Sequence, residues 1–351
     1  MTDWSKHFSY SKPRDQQVDA IESILESFTK KRFYALEAGT GVGKSAIGLT
    51  VAKKIMEIES PPEGFEKGAI FVTTQKILQD QYEKDFSKHG MASVKSSSNY
   101  ICSYKKFKSC AEGQTELQSI EKGTKQWNAC NFNCTYRKAK QKFLDSSFSV
   151  TNFPYLMTES NYNGKIKPRQ LLIIDEAHNV ESELSKFIEV SVSEKFLKTQ
   201  LKMSFPDVST HHKAFLWIRD VYYPRLKKHC DHTKATLEKY HGLKSKIDQF
   251  ASLSKQLKLT DSHFKKIEQF LEVHEKDNWV FEIEKSKYKG MKKIMFKPID
   301  VSKYAEQYLF RLGHRVLFMS ATLLSSQKFR ETLGISPNDV SGKSLSSPFP
   351  T

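Results

Sequence analysis

The segment Ala38–Gly39–Thr40–Gly41–Val42–Gly43–Lys44–Ser45 leaves this chain few folds to choose from, because it sets a glycine-rich turn between an apolar run and a helix-forming stretch. Glycines allow successive backbone N–H groups to converge on phosphate oxygens at a helix start, where the helix dipole also favours negative charge. The spacing fits a phosphate loop with Ala38 in place of its first glycine. Ala38 through Gly43 would wrap the phosphates of ATP, Lys44 would neutralise the β- and γ-phosphates, and Ser45 would coordinate Mg²⁺. A turn of purely structural meaning is the alternative, and Gly-Lys-Ser directly before a helix argues against it.

Four short apolar runs read as buried parallel strands: Phe33–Leu36, Ala69–Val72, Leu171–Ile174 and Val316–Met319, with a weaker fifth at Phe148–Thr151. Alternating with helical segments, they predict a doubly wound α/β core whose ligand site forms where the strands end. After the third main run stand Asp175–Glu176–Ala177–His178. Asp175 can hold Mg²⁺ and its waters, Glu176 can orient and deprotonate an attacking water, and His178 completes the catalytic set. An acidic pair there could instead only cap a helix. After the fourth run, Ser320 and Thr322 place hydroxyls at the same edge, able to couple nucleotide to nucleic acid by switching hydrogen bonds, or to cap a helix. Upstream, Arg14 and Gln17 precede a helix expected from about Val18, and the Gln17 carboxamide suits an adenine edge.

Two stretches break this alternation. Residues 95–145 hold four of the five cysteines among Lys, Ser and Asn, with little periodic apolar content, so a metal must supply what a core cannot. Residues 191–293 are Lys-rich and helical, with Phe264, Ile267, Phe270 and Leu271 spaced as a core stripe. Near their end, Trp279–Ile283 and Lys293–Phe296 predict a hairpin. Cys230 reads as a small buried hydrophobe. The expected division is 1–94, 146–190 and 294–351 for the sheet domain, 95–145 for the cysteine insertion and 191–293 for the helical one.

Charge bears on the partner. Lys and Arg number 56 against 40 Asp and Glu, a formal +16 that favours a polyanion over the plain alternative of a solvated surface. No apolar run approaches the roughly 18 residues that cross a bilayer, and Met1–Lys12 lacks a signal-peptide core. A soluble, intracellular protein of cytoplasm or nucleoid with no membrane partner is therefore expected, where cysteines serve better as metal ligands than as disulfides.

Phosphate loop, Asp-Glu-Ala-His and Ser-Ala-Thr, in this order, resemble the superfamily 2 helicases. Ser98–Asn99–Tyr100–Ile101–Cys102, Cys134–Thr135–Tyr136 and Thr151–Asn152–Phe153 narrow the resemblance to the XPD/DinG family of iron–sulfur DNA helicases, over nearly the whole chain. It implies a RecA-like first motor lobe interrupted by a cluster domain and then a helical Arch domain, the order of the two insertions here. Cys102, Cys110, Cys130 and Cys134 would supply the four thiolates of a [4Fe–4S] cluster, with a tetrahedral zinc site as the alternative. The resemblance further implies ATP-dependent translocation on single-stranded or fork DNA, usually 5′ to 3′. Thr73–Thr74–Gln75–Lys76 occupy the family's first DNA-binding motif, and Asn152 joins them as a DNA contact. Near the cysteines, Tyr104, Lys105, Lys106, Lys108, Tyr136, Arg137 and Lys138 combine cations with aromatics, the chemistry of backbone attraction and base stacking.

Family members would begin a second RecA-like lobe near Ser347–Pro348–Phe349–Pro350–Thr351, and that lobe normally brings arginines to the transferring phosphate. Without it the chain is expected to hydrolyse ATP poorly. Two other functions stay open: a nucleic-acid-binding regulatory module without motor activity, against which Lys44, Asp175 and Glu176 argue, and an RNA helicase, against which the cysteine insertion argues.

Overall fold

The computed structural model describes residues 3–106, 108–117, 120–285, 290–323 and 325–345; the expected start of a second lobe, Ser347–Thr351, lies outside the described residues. Among the described residues the strands are, in chain order, β1 (Phe33–Ala38), β2 (Glu66–Thr73), β3 (Met91–Ser93), β4 (Phe148–Asn152), β5 (Arg169–Asp175), β6 (Val190–Ser193), β7 (Trp279–Lys285), β8 (Lys292–Pro298), β9 (Gly313–Ser320) and β10 (Val340–Leu345). Seven of them form one sheet in the order β10–β1–β9–β5–β2–β4–β3, every neighbouring pair parallel. The five apolar runs are β1, β2, β4, β5 and β9, in the RecA-like α/β arrangement expected.

These strands read as unbroken apolar runs because both faces of the sheet are covered. Leu36, Ala69, Phe71, Leu171, Ile173 and Leu317 point to one face, where they share a core with Ile21 and Ile24 of the helix Asp15–Ser27, Ile47 and Leu49 of the helix Lys44–Ile58, and Phe86 of the helix Lys76–Phe86. On the other face Phe33 stacks on Phe318 at 6.1 Å, and Phe318 meets the Phe329 ring edge-on at 5.1 Å. Each Leu or Ile buried in this way contributes roughly 1.5–3 kcal/mol, so these two layers carry the fold.

Connectivity divides the chain into two compact units. The first comprises the N-terminal segment through Ser96, Arg137–Leu184 and the segment from Val301; the second comprises Ser97–Tyr136 and Ser185–Asp300. Both insertions thus gather in one unit, where the helix Cys110–Leu117 packs on the helix Ile247–Val273. In the same unit β7 and β8 pair antiparallel, from Trp279↔Pro298 to Lys285↔Lys292, which is the expected hairpin; β6 adds a third strand on β8 that no sequence signal announced. Of the expected helical stripe, Ile267 and Phe270 are buried, while Phe264 and Leu271 are only half-buried, Phe264 stacking on Tyr223 at 5.3 Å. Among the described residues no helix is long and apolar enough to cross a membrane.

Candidate nucleotide site and cysteine cluster

Parallel strands deliver their carboxyl ends to one edge, and the first unit's polar residues collect there. The loop after β1 turns through Gly41 (φ 83°) and Gly43 (φ 87°), both left-handed, and enters the helix Lys44–Ile58. Gly43 is required twice over: a Cβ there would lie 2.4 Å from Gln17 Nε2, and its φ disfavours any L side chain. Gln17 Nε2 donates to the Val42 carbonyl at 2.8 Å while its Oε1 accepts from the Arg14 N–H at 2.9 Å. Arg14 Nη1 donates to the Gly41 carbonyl at 2.7 Å. The structure therefore brings Arg14 and Gln17 onto the backbone of the phosphate loop itself. Lys44 Nζ donates to the Ala38 carbonyl at 3.0 Å.

At the end of β5, Asp175 is buried, and burial pushes its carboxyl up from the ordinary range, opposed by a hydrogen bond from Tyr82 and by the Lys44 charge. Tyr82 Oη donates to Asp175 Oδ2 at 3.0 Å. Asp175 Oδ1 accepts from the Glu176 N–H at 3.0 Å. Glu176 adopts φ 54°, a left-handed conformation that costs a non-glycine residue about 1–3 kcal/mol and persists only where surrounding structure imposes it. His178 Nδ1 lies 2.8 Å from Ser320 Oγ and 3.4 Å from Glu176 Oε2. Ser320 Oγ also donates to the Thr322 carbonyl at 2.8 Å, and the Leu323 N–H donates to Glu37 Oε2 at 3.0 Å.

Two residues of this edge escaped sequence reasoning. Glu37 carried one signal, a lone carboxylate in the otherwise uncharged β1 just before the loop. Tyr82 carried none, since an aromatic on an amphipathic helix reads as core.

The expected nucleic-acid contacts are placed unevenly. Thr73 and Asn152 sit side by side at the ends of β2 and β4, but both are buried. Asn152 Oδ1 accepts from the Tyr155 N–H at 3.0 Å, capping the next helix, and Thr73 Oγ1 accepts from the Gln75 N–H at 3.1 Å. Thr74 is half-buried, and Gln75 and Lys76 are exposed. In the second unit Tyr136 is buried with its ring 5.5 Å from Tyr100, which leaves Tyr104 as the exposed aromatic beside Lys106. Arg137 and Lys138 are exposed.

The four cysteines of the insertion are all buried. The loop before the helix Cys110–Leu117 closes on itself, the Cys102 N–H donating to Lys108 and the Cys110 N–H to Tyr100. Ser103 Oγ donates to the Asn133 carbonyl at 2.8 Å, tying the first cysteine's loop to the last's. Gly113 leaves room for the Cys102 sulfur, which a Cβ would meet at 2.6 Å. Cys110 and Cys134 approach to 3.4 Å between sulfurs. Burial, then the Cys134 hydrogen bond and the neighbouring thiols Cys134, Cys102 and Cys130, push the Cys110 thiol up to about 12. Among the described residues no three His, Cys, Asp or Glu groups stand close enough together to hold a metal ion. Cys230, in the helix Tyr223–Tyr240, is buried apart from these four, as a small hydrophobe would be.

The family model described as type III restriction enzyme, res subunit, matches residues 10–205. The ATP-dependent DNA helicase YoaA of Escherichia coli K12 is 25% identical over an alignment covering 53% of this chain and 36% of that protein. A solved XPD helicase superposes with TM-score 0.57 at 16% identity, covering 95% of this chain and 63% of the other. A truncated XPD gives TM-score 0.50 at 15% identity, with 95% and 99% covered. The chain therefore spans about a third of the curated relative's length, and its fold is that of the XPD helicases.

Proposed function

Because the chain belongs to the family of the type III restriction enzyme res subunit, we propose that it is the first motor lobe of an ATP-dependent DNA helicase of the XPD/DinG type. One observation carries this reading. The phosphate loop, Asp175, Glu176 and Ser320 meet at one sheet edge, with His178 bonded across to Ser320 at 2.8 Å. A site for nucleotide alone has no use for that link; a motor needs one, because phosphate loss must alter the grip on DNA.

In the proposed cycle the loop amides and Lys44 hold the phosphates, braced from behind by Arg14 and Gln17, the pair to which adenine recognition is assigned. Ser45, in the first turn of the helix after the loop, and Asp175, at the end of β5, would hold Mg²⁺. The cation supplies charge neutralisation at the phosphates. Glu176 orients the attacking water and accepts its proton. His178 and Ser320 carry the change on toward Thr322, while Glu37 anchors the Ser-Ala-Thr loop at Leu323. A second RecA-like lobe would supply the arginines, and exposed Gln75, Lys76, Arg137 and Lys138 would meet single-stranded or fork DNA, with movement 5′ to 3′.

Cys102, Cys110, Cys130 and Cys134 fit a [4Fe–4S] cluster by donor chemistry. Four buried thiols, three of which raise the proton affinity of Cys110, are poor company until a cation converts them to thiolates. The cluster would supply a covalent staple to a segment with almost no core of its own. In the full-length protein, Lys44→Ala should abolish ATP binding, whereas Glu176→Gln should bind ATP and stop turnover. Undiminished hydrolysis by Glu176→Gln, or stimulation by RNA in preference to single-stranded DNA, would overturn the assignment.

A further inference from the structure

Tyr82 lies outside every motif that identifies the nucleotide site, yet its hydroxyl sits at the centre of it. The residue belongs to the helix Lys76–Phe86 and is buried. Its ring packs against Phe71 at 5.4 Å and Phe86 at 6.0 Å, so the phenol is held by the same core that holds the sheet. Packing needs only the ring. Phenylalanine would fill that space, and a hydroxyl buried here must find partners or lose its hydration unrewarded.

The Tyr82 hydroxyl finds Asp175: the phenol donates to Asp175 Oδ2 at 3.0 Å. The second oxygen, Oδ1, accepts from the Glu176 N–H at 3.0 Å. A carboxylate bonded at each oxygen is held against rotation.

We propose that Tyr82 is a positioning residue that presets Asp175 to receive the divalent cation of the bound nucleotide. The inference rests on the nucleotide-site reading above and extends it to a group that touches neither nucleotide nor reacting phosphate. By bonding to one carboxylate oxygen while the Glu176 N–H holds the other, Tyr82 fixes the orientation of Asp175 before nucleotide arrives. It thereby removes a rearrangement that the cation would otherwise have to drive.

The test uses the full-length protein with ATP and a fluorescent ATP analogue, titrated with and without Mg²⁺. Tyr82→Phe should keep the metal-free nucleotide affinity and the unfolding midpoint close to wild type, because the ring and core remain. The Mg²⁺ concentration needed for half-maximal gain in nucleotide affinity should rise about tenfold, the scale of one lost hydrogen bond to a charged group. Tyr82→Met, which removes the ring and the hydroxyl together, should show a metal defect no larger than that of Tyr82→Phe. Wild-type Mg²⁺ dependence in Tyr82→Phe, or a defect confined to Tyr82→Met, overturns the proposal and leaves the nucleotide site standing. Unimpaired nucleotide binding by Lys44→Ala would instead remove the site on which the proposal rests.

Discussion

Between Arg169 and Asp175 every residue of β5 is buried. Between Ser97 and Tyr136, by contrast, the buried residues among those described are Cys102, Cys110, Cys130, Cys134, Tyr136 and Gly113. The sheet unit holds its polar groups in place from outside, by two layers of apolar packing that end at a common edge. The cysteine segment has no such layers; what it buries is the set of thiols itself. Order in the first region is a property of many residues and tolerates single losses, whereas order in the second hangs on four.

The sharpest way to break this comparison is to remove thiols. Cys110→Ser together with Cys134→Ser should release the segment, seen as new protease cleavage confined to residues 97–136, while the phosphate loop keeps its ATP affinity. Cleavage rates unchanged from wild type would show that the segment is ordered by packing after all, and lost ATP binding would show that the two regions do not stand separately. Iron and sulfide content of the anaerobically purified protein should fall in parallel; loss of zinc instead would replace the cluster with a zinc site.

A smaller effect is expected at Arg169, which is buried and has no carboxylate among its hydrogen-bond partners. Its guanidinium donates to the carbonyls of Ala69, Phe143 and Leu144 and to Ser149 Oγ, so it fastens the end of the helix Thr135–Asp145 to β2 and β4. Burial lowers its proton affinity to about 10, so the group stays charged at neutral pH. Arg169→Met should destabilise the sheet unit by about 2 kcal/mol, read as a lower denaturant midpoint, because several acceptors lose their donor at once. Equal protection of Phe143 and Leu144 from hydrogen exchange in the variant would show that the tether contributes nothing.

The smallest expected effect concerns acid. In the second unit His263, bonded to the Tyr222 hydroxyl at 2.8 Å, and His274, 2.8 Å from His211, are both lowered to about 4, chiefly by burial. Their folded values lie below the unfolded value near 6.5, so the stability they contribute is complete above about pH 6.5 and is lost as pH falls toward 4. Tryptophan fluorescence follows this unit well, since Trp127, Trp217 and Trp279 belong to it and Trp4 to the other. Its unfolding midpoint should drop by a few degrees between pH 7 and pH 5. A midpoint independent of pH would mean that these imidazoles take up protons equally in the folded and unfolded chain.

Much of the sheet was legible because β1, β2, β4, β5 and β9 are buried on both faces, and double burial writes itself as unbroken Val, Ile, Leu and Phe. β10 was not, since Val340–Leu345 is half-exposed and is held to β1 by backbone bonds from Phe33↔Val340 to Ala38↔Leu345, which any side chains permit. The short β3 and β6 escaped for lack of length. At the site, Lys44, Ser45, Asp175 and Glu176 could be named because their spacing within a segment is local. Arg14 and Gln17 were expected as nucleotide residues, but their bonds to the loop carbonyls of Gly41 and Val42 appear only once the helix Asp15–Ser27 has folded against it.

The sequence by itself determined the strand-forming runs, the phosphate loop, the acidic pair and the four thiols, since each is a pattern of neighbouring residues under short-range steric and hydrophobic rules. Only the tertiary structure decided that Tyr82 meets Asp175, that His178 meets Ser320, that Glu37 holds Leu323, and that two insertions far apart in the chain gather in one compact unit. Those meetings join residues dozens to hundreds of positions apart, and no local preference encodes a distance that the packing of the whole sheet must set.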